Sequence, residues 1–379
     1  MGPLDGVKII ELAGIGPVPM CAMLLADMGA TVLRINREGP TGGTQRPLQY
    51  DLRLRNRETL TLNLKDSEAV KLVLRLVEQA DALIEGYRPG VTERLGLGPE
   101  ACLARNKRLV YGRMTGWGQN GPLAKVAGHD INYIAITGAL HAIGRKGQLP
   151  ATPLNLVGDM GGGALYLTMG LLAGIMSARS SGHGQVVDAA IVDGAASMMT
   201  SWFGLLQAGG ISTARGTNAT DSGAFYYDVY ECKDGGLVSI GTIEPHFYSE
   251  LLKLLEIDPA SMPAQNSRVD WAQGRKVLEE KFKTKSRDEW TSLLEGRDVC
   301  FAPVLDMKEA PRHPHLKARG TFLEIEGVVQ PAPAPRFSRT PLGIPTPPRK
   351  PNPQAALTRW LTTADISGLQ KAGIIKSVE

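Results

Sequence analysis

Apolar and polar residues alternate in two rhythms along the first half of the chain. Residues 7–12 are rich in strand formers, 13–19 carry glycine and proline, and 20–28 show helical apolar spacing. Gly29 closes that helix before a second strand-like run at 31–35, which completes the pattern of a βαβ unit. A second cycle follows. Asp66 or Ser67 stands at a helix N-cap position, Val70, Val73, Leu74 and Val77 recur at helical spacing, and a strand is predicted at 82–84. A short helix at 99–105, a strand at 108–114, a long helix at 163–178 and a strand at 185–189 continue the alternation. Such alternation builds a parallel sheet with helices on both faces, so residues 1–190 are expected to form a large, Rossmann-like, doubly wound α/β domain.

Beyond this point the rhythm changes. Residues 191–224 read as a helical linker region. Two β-rich runs, 225–230 and 237–240, then flank Lys233-Asp234-Gly235-Gly236, a hairpin signal. With helical patterns at 245–255, 271–282 and 287–294, they predict a smaller α+β domain over 225–314, followed by a return linker at 315–330. Prolines crowd residues 331–353 and favour an extended path over a helix. Phe337, Leu342 and Ile344 are interleaved with them and a helical pattern follows at 355–361, so the segment 331–379 is expected to dock back on the large domain.

Composition narrows the function classes. The 379 residues are 43% hydrophobic and 21% charged, as in an ordinary globular chain, and 42 basic against 38 acidic side chains leave a net charge of +4. That balance gives no reason to expect nucleic acid or a membrane surface as partner. The four cysteines, Cys21, Cys102, Cys232 and Cys300, form no C-x-x-C pair and no ligand spacing with histidine, so neither zinc nor a disulfide framework is expected. The longest apolar stretch, 164–176, falls short of the roughly 20 residues that span a bilayer, no secretory leader is apparent, and the final Lys376-Ser377-Val378-Glu379 is not a peroxisomal address. A cytoplasmic location is the expectation.

Several positions carry candidate chemistry. The loop Gly14-Ile15-Gly16-Pro17-Val18-Pro19 occupies the place of a dinucleotide-binding turn, but Pro19 stands at the third glycine position. The next strand ends in Arg34, Asn36 and Arg37 rather than a ribose-binding carboxylate. Arg37 at the carboxyl end of a strand suits a phosphate, or is simply solvated; Arg88 and Arg94, in the loop after the strand ending at Ile84, would join it in a polyanion pocket. His129, in Gly128-His129-Asp130, leads a helix and reads either as a cap or as an acid/base group. Asp159 precedes Gly161-Gly162-Gly163 and a long apolar helix; it is either an ordinary N-cap or a carboxylate beside a backbone that a ligand approaches closely. Glu244, just before Pro245, reads first as a residue placed for the helix dipole and otherwise as a functional carboxylate. No G-x-S-x-G supports a hydrolase triad.

Taken together, separated motifs in a fixed order resemble the family III CoA-transferases, and within them the racemase branch. They run from Pro3-Leu4-Asp5-Gly6-Val7 and Leu25-Ala26-Asp27-Met28-Gly29-Ala30 through Leu54-Arg55-Asn56-Arg57 to Leu83-Ile84-Glu85-Gly86-Tyr87-Arg88-Pro89-Gly90. Thr115-Gly116-Trp117-Gly118-Gln119-Asn120-Gly121-Pro122 and Gly128-His129-Asp130-Ile131-Asn132-Tyr133 complete the set. The resemblance covers most of the chain. It implies an interlocked homodimer and a CoA thioester substrate held by Arg37, Leu62, Lys65, Arg88, Arg94 and Asp130. No metal and no separate cofactor are implied, the CoA moiety being part of the substrate.

Transferases of this family carry tyrosine between the glycine and aspartate of the Gly-x-Asp motif and a glycine-rich flap in the small domain. Here the middle residue is His129, no run of four glycines lies between Asp193 and Cys300, and Glu244 stands where racemase-like members have glutamate. The resemblance therefore implies interconversion of (R)- and (S)-2-methylacyl-CoA esters, an isomerase reaction of lipid metabolism. His129, supported by Glu244, and Asp159 would be the two proton-transfer groups, and backbone N–H groups at 159–162 would face the enolate oxygen. A CoA-transferase with Asp159 as covalent nucleophile is the alternative. The nature of the acyl chain stays open.

Overall fold

The computed structural model describes residues 2–38 and 46–375, so the C-terminal Lys376-Ser377-Val378-Glu379 lies outside the described residues. The chain divides into two compact units: one is drawn from Met1–Thr137, Leu154–Met198 and Gly320–Glu379, the other from Gly138–Pro153 and Met199–Arg319.

The first unit is organised by a six-stranded sheet: β1 (Lys8–Leu12), β2 (Thr31–Arg37), β3 (Glu58–Leu62), β4 (Ala82–Glu85), β5 (Val110–Thr115) and β6 (Gln185–Ala190). Every pairing is parallel and the strand order is β3-β2-β1-β4-β5-β6, that of doubly wound dinucleotide-binding folds. Successive residues of each strand point to opposite faces, so Ile10, Leu33 and Tyr111 join one core while Ile9, Val32 and Val110 join another. The helix Ser67–Val77 covers the first face with Leu72, Val73 and Leu76, its start fixed by the Asp66 side chain accepting the Glu68 N–H at 2.9 Å. Pro17–Asp27 covers the second; its start at Pro17 rather than at residue 20 follows from proline's suitability for the first helical turn.

Three features depart from the expected pattern. Strand β3 was not foreseen, because Glu58, Thr59 and Thr61 give it a polar appearance even though Leu60 and Leu62 are buried. The region expected to be a return linker instead carries an antiparallel hairpin, β10 (Phe322–Ile325) with β11 (Val328–Pro331). The long helix begins at Leu156, and Leu156–Ser181 is continuous for 26 residues, long and apolar enough by length and composition to cross a bilayer. This corrects the shorter apolar stretch read from the sequence. In the fold, its Leu167, Leu171 and Ile175 belong to the core beneath the sheet.

The C-terminal segment packs into the first unit. Ala356, Leu357, Trp360 and Ile366 are buried in the core with Leu72 and Leu76. Buried Arg55 pairs with Asp27 at 2.5 Å and also donates to the Pro331 carbonyl at 2.7 Å, while the Asn56 N–H donates to the Thr346 carbonyl at 3.0 Å. Arg57, with a wholly buried side chain, pairs with Glu11. The Arg55-Asn56-Arg57 motif is thus spent on internal ties.

In the second unit, β7 (Tyr227–Glu231), β8 (Leu237–Gly241) and β9 (Phe301–Val304) form an antiparallel sheet in that order. Its core holds Phe225, Tyr230, Phe282 and Trp290, with the Tyr230 and Phe282 rings stacked at 5.2 Å. Residues 138–153 belong here rather than to the large domain expected from the sequence. Arg145 makes a two-point contact with buried Asp228, at 2.7 and 3.0 Å, and Arg275 engages the same carboxylate.

Candidate active site at the carboxyl edge of the sheet

Parallel strands end on one side, and ligands of doubly wound sheets gather there. At that edge of the first unit lies a cleft of about 530 Å³ lined by Gly16, Arg88, Trp117, His129, Tyr133 and Asp159 among others.

His129 is the N-cap residue of the helix Asp130–Ala135, in an extended conformation. Its backbone N–H donates to Asn132 Oδ1 at 3.0 Å and its carbonyl accepts the Asn132 N–H at 2.8 Å. The main chain thus takes part in the cap, and His129 is exposed and lines the cleft. Tyr133, on the same helix, donates its hydroxyl to the Gly128 carbonyl and sets its ring edge-on to Trp117 at 4.7 Å. These contacts fix the backbone that carries His129.

Asp159 lines the same cleft. It lies inside the first turns of the long helix, which are π-helical from Leu156 to Leu165, and the Met160 N–H accordingly donates to the Asn155 carbonyl at 3.1 Å. Burial pushes the Asp159 carboxyl above the usual aspartate range; the Asp130 charge adds to that, while the Asn155 amide, His129 and Arg53 oppose it.

The basic residues follow the strand ends. Arg37 and Leu62 are register partners at the ends of β2 and β3. Lys65 is exposed just past β3, Arg88 lines the cleft just past β4, and Arg94 is exposed at the end of the helix Val91–Arg94. Leu62 is different. Its side chain is in the core and its carbonyl accepts the Glu38 N–H at 3.2 Å, so any part it takes in ligand binding would fall to its main chain.

A family model described as CoA-transferase family III matches residues 4–355. The chain belongs to CoA-transferase family III. Among curated relatives it is 41% identical over 350 residues to mouse alpha-methylacyl-CoA racemase, covering 92% of this chain and 90% of that protein. It is 39% identical over 341 residues to the human alpha-methylacyl-CoA racemase, covering 89% and 87%. Among solved structures, a CAIB/BAIF family protein from Brucella suis superimposes with a TM-score of 0.81 at 26% identity, covering 96% of this chain and 99% of that one.

Within this family III chain two further groups expected at the ligand have internal partners. Asp130, expected among the CoA-binding residues, is buried, and its Oδ1 accepts the Asp159 N–H at 2.5 Å. Of the backbone N–H groups at 159–162 expected to face an enolate, that of Asp159 donates to Asp130 and that of Met160 to the Asn155 carbonyl, which leaves the expectation with Gly161 and Gly162. The glycines after Asp159 serve packing as well: a Cβ at Gly162 would lie 2.7 Å from the Ala195 nitrogen of the next helix.

Glu244 lies in the second unit, exposed at the N-cap of the helix Pro245–Leu254 and making no side-chain cap bond there. The sequence reading missed Glu85 and Arg113. They are register partners joined at 3.0 Å, and Glu85 also accepts the Tyr87 N–H at 2.7 Å, which braces the loop bearing Arg88. A glutamate ending an otherwise apolar strand was the available signal.

Proposed function

We propose that the protein racemises 2-methylacyl-CoA thioesters by a two-base proton transfer. The observation that carries this reading is the pair His129 and Asp159 lining one cleft, with Asp159 raised toward the protonated form by burial. Inversion of a carbon beside a thioester carbonyl requires one group to remove the α-proton and a second to return a proton to the other face. One base takes the proton, the C–H electron pair moves into the thioester as an enolate, and the opposed acid protonates the same carbon. In the S-to-R direction His129 is the base and Asp159 the acid; the roles exchange in reverse. Burial moves the Asp159 carboxyl toward the protonated form, which suits a group that must both give and take a proton.

The CoA nucleotide and diphosphate lie along Arg37, Lys65, Arg88 and Arg94. Glu244, from the second unit of the same chain or of a partner, orients His129 in an interlocked homodimer. The helix Thr200–Gln207 supports a partner copy: it buries none of its side chains although it carries Trp202, Phe203, Leu205 and Leu206.

The test is proton NMR of a single enantiomer of a 2-methylacyl-CoA with the protein in heavy water, followed by chiral analysis. Loss of the α-proton with appearance of the other enantiomer supports the reading. An unchanged ester, with CoA passing to an added carboxylic acid and Asp159 trapped by hydroxylamine, would replace it with CoA transfer.

A further inference from the structure

Asp130 is a buried titratable group that the proton-transfer scheme does not use. It opens the helix Asp130–Ala135 and is only 8% exposed. One carboxylate oxygen accepts the Asp159 N–H at 2.5 Å; the other is buried with no hydrogen-bond partner among the described residues. The approach is close enough that the residue before Asp159 must lack a side chain, since a Cβ at Gly158 would lie 2.3 Å from Asp130 Oδ1. A buried carboxylate with a free oxygen is costly for a fold. Here that cost falls directly behind the carboxylate that faces the cleft.

We propose that Asp130 is a positioning residue for Asp159, anchoring its backbone from behind and setting a second carboxylate beside it. The anchor fixes where the Asp159 carboxyl meets a substrate. The charge disfavours ionisation of Asp159, in concert with burial and against the pull of His129, Arg53 and the Asn155 amide, while Tyr133 of the same cleft also feels the Asp159 charge. The proposal rests on the reading above, in which Asp159 exchanges the α-proton, and deepens it by naming what tunes that group.

Asp130→Asn, Asp130→Ala and Asp159→Asn are compared with the parent for melting temperature, and for α-proton exchange of each 2-methylacyl-CoA enantiomer in heavy water across pH. Asp130→Asn keeps an oxygen for the Asp159 N–H and removes the charge. The expected result is a shift of the acidic limb of kcat to lower pH by about one unit, with KM changed less than about threefold. Asp130→Ala removes the anchor too and is expected to lower kcat by up to about 10²-fold in the direction that uses Asp159 as base. Superimposable pH profiles for Asp130→Asn and the parent, while Asp159→Asn is impaired, overturn the proposal alone. A rise in KM for both enantiomers with kcat and profile unchanged overturns it in favour of a direct CoA contact. Full exchange by Asp159→Asn overturns the underlying reading and the proposal with it. A melting temperature for Asp130→Asn near the parent's keeps the profile interpretable; if Asp130→Asn unfolds, Asp130→Glu, which retains the charge at a different length, is expected to keep the limb and lose rate, and a shifted limb there counts against the proposal.

Discussion

Glu85 and Arg113 stand side by side at the carboxyl ends of adjacent parallel strands, the guanidinium Nε donating to the carboxylate at 3.0 Å with the Glu85 side chain wholly buried. Arg113 also reaches Glu93 at 2.7 Å, so one cation is shared between a buried and an exposed carboxylate. Burial outweighs this pairing and pushes the Glu85 carboxyl from 4.5 to about 7, the Glu93 charge adding a little to the rise.

The sign of the resulting pH dependence is fixed by that direction. A carboxyl whose folded value exceeds its unfolded one contributes stability that is complete below pH 4.5 and is lost as pH rises through about 7. The amount is at most about 3 kcal/mol. Urea unfolding of the parent from pH 5 to pH 8 should show this decline, and Glu85→Gln should flatten it; an equal slope in both proteins would mean that Glu85 is ionised throughout.

The buried pair Asp27 and Arg55 makes a prediction of a different kind. Arg55 joins the helix Pro17–Asp27 to the chain at Gln330 and Pro331, and its side chain is 3% exposed. Asp27→Ala would leave that guanidinium buried without its anion, at a cost of about 3–5 kcal/mol. Asp27→Leu with Arg55→Met should cost much less than Asp27→Ala, because no charge then stays buried. Denaturant midpoints of the two variants check the order.

Arg88 and Leu62 were grouped together as CoA-binding positions, and the structure separates them. Arg88 lines the cleft, so Arg88→Ala should raise KM for an acyl-CoA by about tenfold, more at low salt, with kcat nearly unchanged. Leu62 is 1% exposed in the core, so Leu62→Ala should instead cost about 2–5 kcal/mol of stability and leave KM near the parent value in the folded fraction. Steady-state kinetics beside thermal melts distinguish the two.

The contrast shows what was legible in the sequence. Four of the six parallel strands announce themselves because each buries a run such as Ile9-Ile10 or Leu83-Ile84 against helices on both faces, and the edge strand β6, with only Ala189 and Ala190 buried, is legible from its place in the alternation. Strand β3 does not, since Glu58, Thr59 and Thr61 dilute its apolar residues and only the neighbouring strand β2 determines that it pairs. His129 and Asp159 could be singled out from their glycine-flanked motifs. The role of Asp130 could not, because it depends on contact with a residue 29 positions away. Glycines after Asp159 looked like ligand-facing backbone in one dimension; only the packed helix Ile191–Met198 reveals why no side chain fits there.

The two-base assignment itself divides cleanly between enantiomers. With His129→Ala, the S ester loses the base that faces its α-proton, and exchange from it should fall by about 10²–10⁴-fold. The R ester still meets Asp159, so its α-proton should wash out into heavy water while formation of the other enantiomer is suppressed. Asp159→Ala should show the mirror image: exchange retained from the S ester and lost from the R ester. Washout of each enantiomer, followed separately by proton NMR, measures this directly. Equal losses from both esters in both variants would mean that exchange of either enantiomer needs both residues alike, and the assignment of one base to each enantiomer would fall.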